Sequence, residues 1–214
     1  LPWRFHLKYN ATDFYDLFGP TKVSFKGYSA SGSYHQFLIY EGPKTLEYTL
    51  SAAHYGGLER LPDYQNIAAP FSRYEDARAQ LDFKDLRRTI GAVDFERGQR
   101  WSLATSASLA NGDVFPRVYG DYEHGFLLPV DHTSLWLRGA AGKSWGDRTN
   151  AFSNFYFGAF GNNWIDWQQE RRYREIESFP GLDLNEAGGS DFAKGTVELT
   201  LPPLRFARAG VPSF

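Results

Sequence analysis

Hydrophobic residues recur in this chain with a period of two, and that pattern constrains its fold more than any other feature. Trp3, Phe5, Leu7 and Tyr9 alternate with Arg4, His6 and Lys8. Leu46, Tyr48, Leu50 and Ala52 alternate with Thr45, Glu47, Thr49 and Ser51. Ala79, Leu81 and Phe83 continue the pattern, as do Trp101, Leu103, Thr105, Ala107 and Leu109, and then Val197, Leu199 and Leu201. Successive side chains of a strand point to opposite faces, so each run predicts a strand with one apolar and one polar face. Several runs reach about ten residues, longer than the usual globular strand and matched to a tilted membrane-spanning one. Aromatic residues make up 17% of the chain and Gly contributes 21 residues. That composition suits pleated surfaces and tight turns, and the fold class is all-β.

Turn signals separate the runs: Gly19-Pro20, Gly42-Pro43, Asn111-Gly112-Asp113 and Gly161-Asn162-Asn163. A further short reversal is expected at Asp85-Leu86-Arg87-Arg88. These alternate with longer connections at 56–71 and 173–190, and short turns opposite long loops predict an up-and-down antiparallel barrel of ten to twelve strands. No amphipathic helix is expected beyond one turn at 63–69. No linker interrupts the composition, so residues 1–214 read as one domain. The polar face carries Lys8, Glu47, Arg78, Asp82, Lys84, Asp94, Glu96, Lys194 and Glu198. A barrel would turn that face to its lumen, and a soluble sandwich would turn it to water. Tyr and Trp near strand ends favour the barrel, because such rings suit a membrane interface.

Other classes are excluded by what is missing. A net charge of -2 argues against a nucleic-acid binder, and the absence of Cys removes disulfides, thiolate metal sites and cysteine nucleophiles. No apolar run has the roughly 18–20 residues of a membrane-spanning helix. The mean hydropathy of -0.47 does not argue against a barrel, whose strands turn half their residues to a polar lumen. The chain has no Met and begins Leu1-Pro2-Trp3, which reads as a fragment. No nucleophile-elbow, zinc-protease, P-loop or dinucleotide signature is present, and His6, His35, His54, His124 and His132 are scattered. Asp94 and Glu96 are read as two charges on one strand face rather than as an acid–base pair. Basic and aromatic residues interleave from Trp164 to Arg174, which reads as a strand end at an interface. No catalytic residue, metal site or cofactor is expected.

The most specific stretch runs from Arg174-Glu175-Ile176-Glu177-Ser178-Phe179-Pro180-Gly181 through Asn185-Glu186-Ala187-Gly188-Gly189. It leads into the strand Lys194–Leu201 and then Pro202-Pro203-Leu204. This order resembles the C-terminal barrel of the bacterial surface antigen (D15-like) family, within the BamA/TamA superfamily. Phe155-Tyr156-Phe157-Gly158-Ala159-Phe160-Gly161-Asn162-Asn163-Trp164 is similar to the branch that carries a TolB-like propeller ahead of the barrel. The resemblance implies a transmembrane barrel of about sixteen strands in the bacterial outer membrane, with the long loop before its twelfth strand. Residues 1–214 would then be an incomplete barrel lacking its C-terminal strands.

Further expectations follow from the resemblance. The loop folds into the lumen, a Gly-Gly pair follows, and an acidic strand residue meets a loop arginine. Here Phe179-Pro180-Gly181 stands where the family has Arg-Gly-aromatic. Arg174 is the nearest cation, and Glu198 takes the acidic position. Residues Arg174, Phe179, Pro180, Gly181, Gly188 and Gly189 are thus the expected lumen-loop motif, anchored by Glu198. Outer-membrane lipid and an unfolded or translocating polypeptide are the expected partners, with no nucleic acid and no small-molecule cofactor. The activity implied is outer-membrane protein assembly or polypeptide translocation. The alternative is a soluble all-β carbohydrate-binding module with Trp and Tyr platforms, and it would bury the apolar face between two sheets.

Overall fold

A computed structural model of the chain describes residues 2–9, 14–15, 24–60, 72–92, 94–110, 112–158, 176, 178–183, 186–202, 206–208 and 211–213. The strands are β1 (Trp3–Tyr9), β2 (Phe14–Tyr15), β3 (Ser24–Glu41), β4 (Lys44–Arg60), β5 (Tyr74–Arg87), β6 (Arg97–Ala110) and β7 (Asp113–Leu127). They continue with β8 (Ser134–Ser144), β9 (Phe155–Phe157), β10 (Ala187–Gly189), β11 (Asp191–Thr200), β12 (Phe206–Arg208) and β13 (Val211–Ser213). One antiparallel sheet holds nine of them, in the order β1-β3-β4-β5-β6-β7-β8-β11, with β2 pairing β3 off that path. β9 pairs with β10 and β12 with β13 as separate two-stranded sheets. The protein is therefore all-β, with its main sheet running up and down. Among the described residues the sheet is open: β1 and β11 are its outer strands and do not pair with each other.

Among the described residues nine strands join one sheet, against the ten to twelve expected, and two features bear on the difference. β3 and β4 extend over 18 and 17 residues, taking up sequence that shorter strands would have divided. Among the described residues of 145–190, β9 and β10 pair with each other and add no strand to the main sheet. The reversal expected at Asp85–Arg88 also moves. β5 stays paired through Arg87, opposite Arg97, and the chain turns in 88–96 instead. Asp94 and Glu96 therefore lie in a connection and do not share a strand face. The turn candidates at 19–20 and 161–163, the single turn at 63–69 and the Trp164–Arg174 stretch lie outside the described residues.

Register turns the alternation into two continuous faces. Leu81 lies opposite both Tyr48 and Leu103, Trp101 opposite both Phe83 and Tyr122, and Leu137 opposite both His124 and Val197. An irregularity between Phe37 and Ile39 shifts β3 by one residue and returns Ile39 to the apolar side, opposite Leu46. On the other face Arg78, Ser106, Arg117 and Ser144 form one row, and Arg100, Glu123 and Arg138 form another.

Burial on these faces is the reverse of a water-soluble sheet. Apolar-face residues are open: Leu7 is 84% exposed, Val197 71% and Leu103 52%. Polar-face residues are covered: Ser134 is fully buried and Glu123 is 6% exposed. The apolar band also runs at a slant. Glu75 bounds it on β5, in the row of Leu109 and Val114, whereas Lys143 bounds it on β8, opposite Val118. From Val114 to Val118 the boundary slips four residues along β7, as it does where strands tilt against a layer of fixed thickness. The strand ends that bound 42–43, 88–96 and 128–133 lie at one end of the sheet, and those that bound 61–73, 111–112 and 145–190 at the other.

Candidate functional site

Described residues of the 145–190 connection pack on the polar face, which makes this junction the candidate site. Phe152, in a short 3-10 turn at Ala151–Ser153, stacks on Tyr74 at 5.3 Å and on Phe115 at 5.5 Å. Phe155 meets Phe192 at 4.8 Å and Tyr119 at 5.9 Å, and Phe157 meets Phe192 at 4.8 Å. Tyr74, Ala110, Phe115 and Phe152 form the buried apolar cluster of the described residues. Local sequence permits this seating. A Cβ at Gly142 would come within 2.4 Å of the Phe192 ring and 2.8 Å of the Tyr119 Cβ, so glycine lets the aromatic layer lie on the sheet.

Polar anchors hold the connection at several points. Arg117 Nε donates to the Phe152 carbonyl at 3.0 Å, and the guanidinium lies 5.3 Å from the Phe155 ring centre. The Ser144 hydroxyl donates to the Ser153 carbonyl. Lys194 Nζ donates to the carbonyls of Ser178 at 2.6 Å and Ile176 at 3.0 Å. The Arg117 and Lys194 bonds are charge-assisted, a stronger class than neutral pairs. They also satisfy carbonyls in an irregular segment, which otherwise would be buried without partners.

The expected motif residues occupy distinct places. Phe179-Pro180-Gly181-Leu182 is a β-turn closed by the Leu182 amide on the Phe179 carbonyl at 3.2 Å. Pro180 holds its second position and Gly181, with φ of 102°, its third, the type II pattern. Pro180 and Gly181 are exposed and Phe179 is 46% exposed, whereas the preceding Ser178 is fully buried. Gly188 and Gly189 form β10 against Tyr156 and Phe155, and a Cβ on Gly188 would meet the Tyr156 ring at 3.1 Å. Arg174 lies outside the described residues. Glu198 lies on the polar face and accepts from Arg138 Nη1 at 2.5 Å. Arg138 Nε also donates to Glu123 at 2.9 Å, and Glu123 pairs with Arg100 at 2.9 Å. Arg100, Glu123, Arg138 and Glu198 thus tie β6, β7, β8 and β11 together.

A second polar cluster sits at the sheet end away from the 145–190 connection. The Glu96 carboxylate accepts from the Thr89 hydroxyl at 2.6 Å, the Thr89 amide at 2.8 Å and His132 Nδ1 at 2.9 Å. Thr89 is the principal cause, and with the His132 contact it holds the Glu96 carboxyl below its ordinary value against an opposing effect of burial. This latches the 88–96 connection to 128–133. Among the described residues no group of His, Asp or Glu side chains has the arrangement of a metal site.

Lys194 shares a face with Glu198 by simple alternation, so its presence at the site is legible in sequence. Arg117, Arg138 and Phe152 are not. Arg117 follows Pro116 in a stretch without clean alternation. Arg138 adjoins the Gly-Ala run 139–142, which blurs both faces. Phe152 lies in a connection whose path over the sheet no local pattern encodes. No protein-family model, no curated protein and no solved structure matches this chain.

Proposed function

We propose that this sheet is part of the wall of an outer-membrane β-barrel, with its apolar face against lipid and its polar face lining a lumen that the 145–190 connection enters. The observation that carries this reading is the inverted burial, open apolar face and covered polar face. Burying a large apolar side chain is worth about 1.5–3 kcal/mol, so a water-soluble protein would cover Leu7, Leu103, Val197 and their neighbours. A carbohydrate-binding sandwich would do so with a second sheet, whereas Leu7, Leu103 and Val197 stay exposed. The slanted band and the placement of 145–190 at the end opposite 42–43 support the same reading, since outer-membrane barrels have short turns at one rim and long loops at the other.

Within that class, the loop order before β11 supports a role in outer-membrane protein assembly or polypeptide translocation, the activity of the surface antigen barrels the chain resembles. The mechanism is non-covalent. Charged side chains of the lumen wall hold a folded loop, and lipid covers the outside. Membrane fractionation of the full-length gene product, followed by gel mobility with and without boiling, tests the barrel. Outer-membrane localisation with a boiling-dependent shift is the expected result. A water-soluble protein without a shift would favour the carbohydrate-binding module instead. Acceleration of the folding of a urea-denatured barrel substrate by protein-loaded vesicles, relative to empty ones, tests the assembly role.

A further inference from the structure

Between the polar face and the seated connection lies a cavity of about 230 Å³. Tyr55, Tyr74, Tyr119, Phe155, Phe157 and Phe192 wall it. Its polar lining includes Asp76, Arg78, Ser106 and Arg117. The last three occupy one row, so two guanidinium groups flank a serine across adjacent strands.

The two arginines differ in what they hold. Arg117 is spent on the Phe152 carbonyl. Arg78 lies 5.4 Å from the Tyr119 ring centre and has no hydrogen-bonded or ion-paired partner among the described residues, and its buried Nε has no acceptor. A buried donor left without an acceptor loses its hydration with nothing in return, the more so for a charged group. Asp76, the nearby anion, already accepts from the hydroxyls of Tyr74 and Ser108 at 3.1 and 3.0 Å.

We infer that this cavity binds a small carboxylate carried on a single aromatic ring. The planar fork of Arg78 matches a carboxylate, which would supply the missing acceptor. The six surrounding rings offer edge and face contacts to a flat apolar body. The volume lies below the ~300–1,000 Å³ of sites for drug-sized ligands, which limits the occupant to one ring. Asp76 disfavours a dianion such as phosphate. The inference depends on the packing of the connection against the sheet and stands apart from the membrane reading.

The test is a calorimetric titration of the full-length protein with benzoate, and with benzamide as the neutral isostere. Detergent micelles carry the protein if it fractionates with membranes, and plain buffer if it does not, so failure here is separate from failure of the barrel. Benzoate should saturate at one site and bind at least about tenfold more tightly than benzamide, as expected for a charge-assisted pair. Arg78→Gln should erase that preference while the near-ultraviolet circular dichroism stays unchanged. Ala53→Trp, which fills the cavity from β4 with Arg78 intact, should abolish binding of both probes. Equal affinities, a preference surviving Arg78→Gln, or no saturable binding at millimolar benzoate would overturn the inference.

Discussion

Two carboxylates show how single side chains hold this sheet together, one at its rim and one in its polar face. Glu96 accepts three hydrogen bonds and its carboxyl is held below its ordinary value of 4.5, with the Thr89 hydroxyl as the main cause. A carboxyl depressed in the folded state contributes stability that is complete above its unfolded value and lost as pH falls through the folded one. The latch between 88–96 and 128–133 should thus stay closed from neutral pH down to the ordinary carboxylate range and open only below it. The Thr89 amide resonance, followed from pH 7 to pH 3, should move in a step below pH 4.5 that Glu96→Gln removes. A midpoint at or above the ordinary value would refute the latch. Glu123 presents the other case, because it is covered and pairs with both Arg100 and Arg138. Arg138→Gln leaves Glu123 and Glu198 short of a cation in a covered site. It should cost about 3 kcal/mol, the lower end for breaking such a pair, because Arg100 remains. Arg138→Lys should recover part of that loss. Denaturant unfolding of the three proteins measures both effects, and a loss under about 0.5 kcal/mol would show that solvent screens the network.

Among the elements, the 145–190 connection and β11 depend on each other through Lys194. Two backbone carbonyls of the connection converge on its ammonium, while Glu198, four residues along the same face, engages Arg138 of the neighbouring strand. Lys194→Met should therefore release the connection and speed protease cleavage within 145–190 several-fold. Glu198→Gln should do so less, since its described bond joins strand to strand. Equal cleavage rates in the two variants would assign the anchoring to other contacts. This division of labour was only half legible from the residues. Period-two alternation suffices to place Lys194 and Glu198 on one face and to set Leu81 beside Leu103, because a one-residue slip would exchange the two faces. It fails for β3, where Ser29, Ser31 and Ser33 alternate with Ala30 and Gly32 and the hydrophobic contrast is weak. It fails again for Phe152, Phe155 and Phe157, whose burial depends on distant partners in β5, β7 and β11. Phe179-Pro180-Gly181 was conspicuous because turn chemistry is local, whereas the carbonyls that Lys194 binds bear no sequence signature.

At the scale of the whole molecule, the open apolar face demands a solvent, and the two candidates predict opposite responses to charge. In lipid, a cation placed near the middle of the band loses its hydration, at a cost of about 2–4 kcal/mol near the bilayer midplane. In water, an exposed strand position tolerates the same change within about 0.5 kcal/mol. Leu103 suits the test because it is 52% exposed, lies between Leu81 and Gly120 across the sheet, and sits inside the Trp101–Leu109 run. Thr49 is the control on the opposite face, beside His35 and Gln80. Leu103→Arg should lower the unfolding free energy of the full-length protein in lipid vesicles by about 2–4 kcal/mol, and Thr49→Arg by less than about 1 kcal/mol. The reverse ranking would mean that the polar face is the one without water. Near-equal small effects would place both faces in water and refute the lipid-facing band.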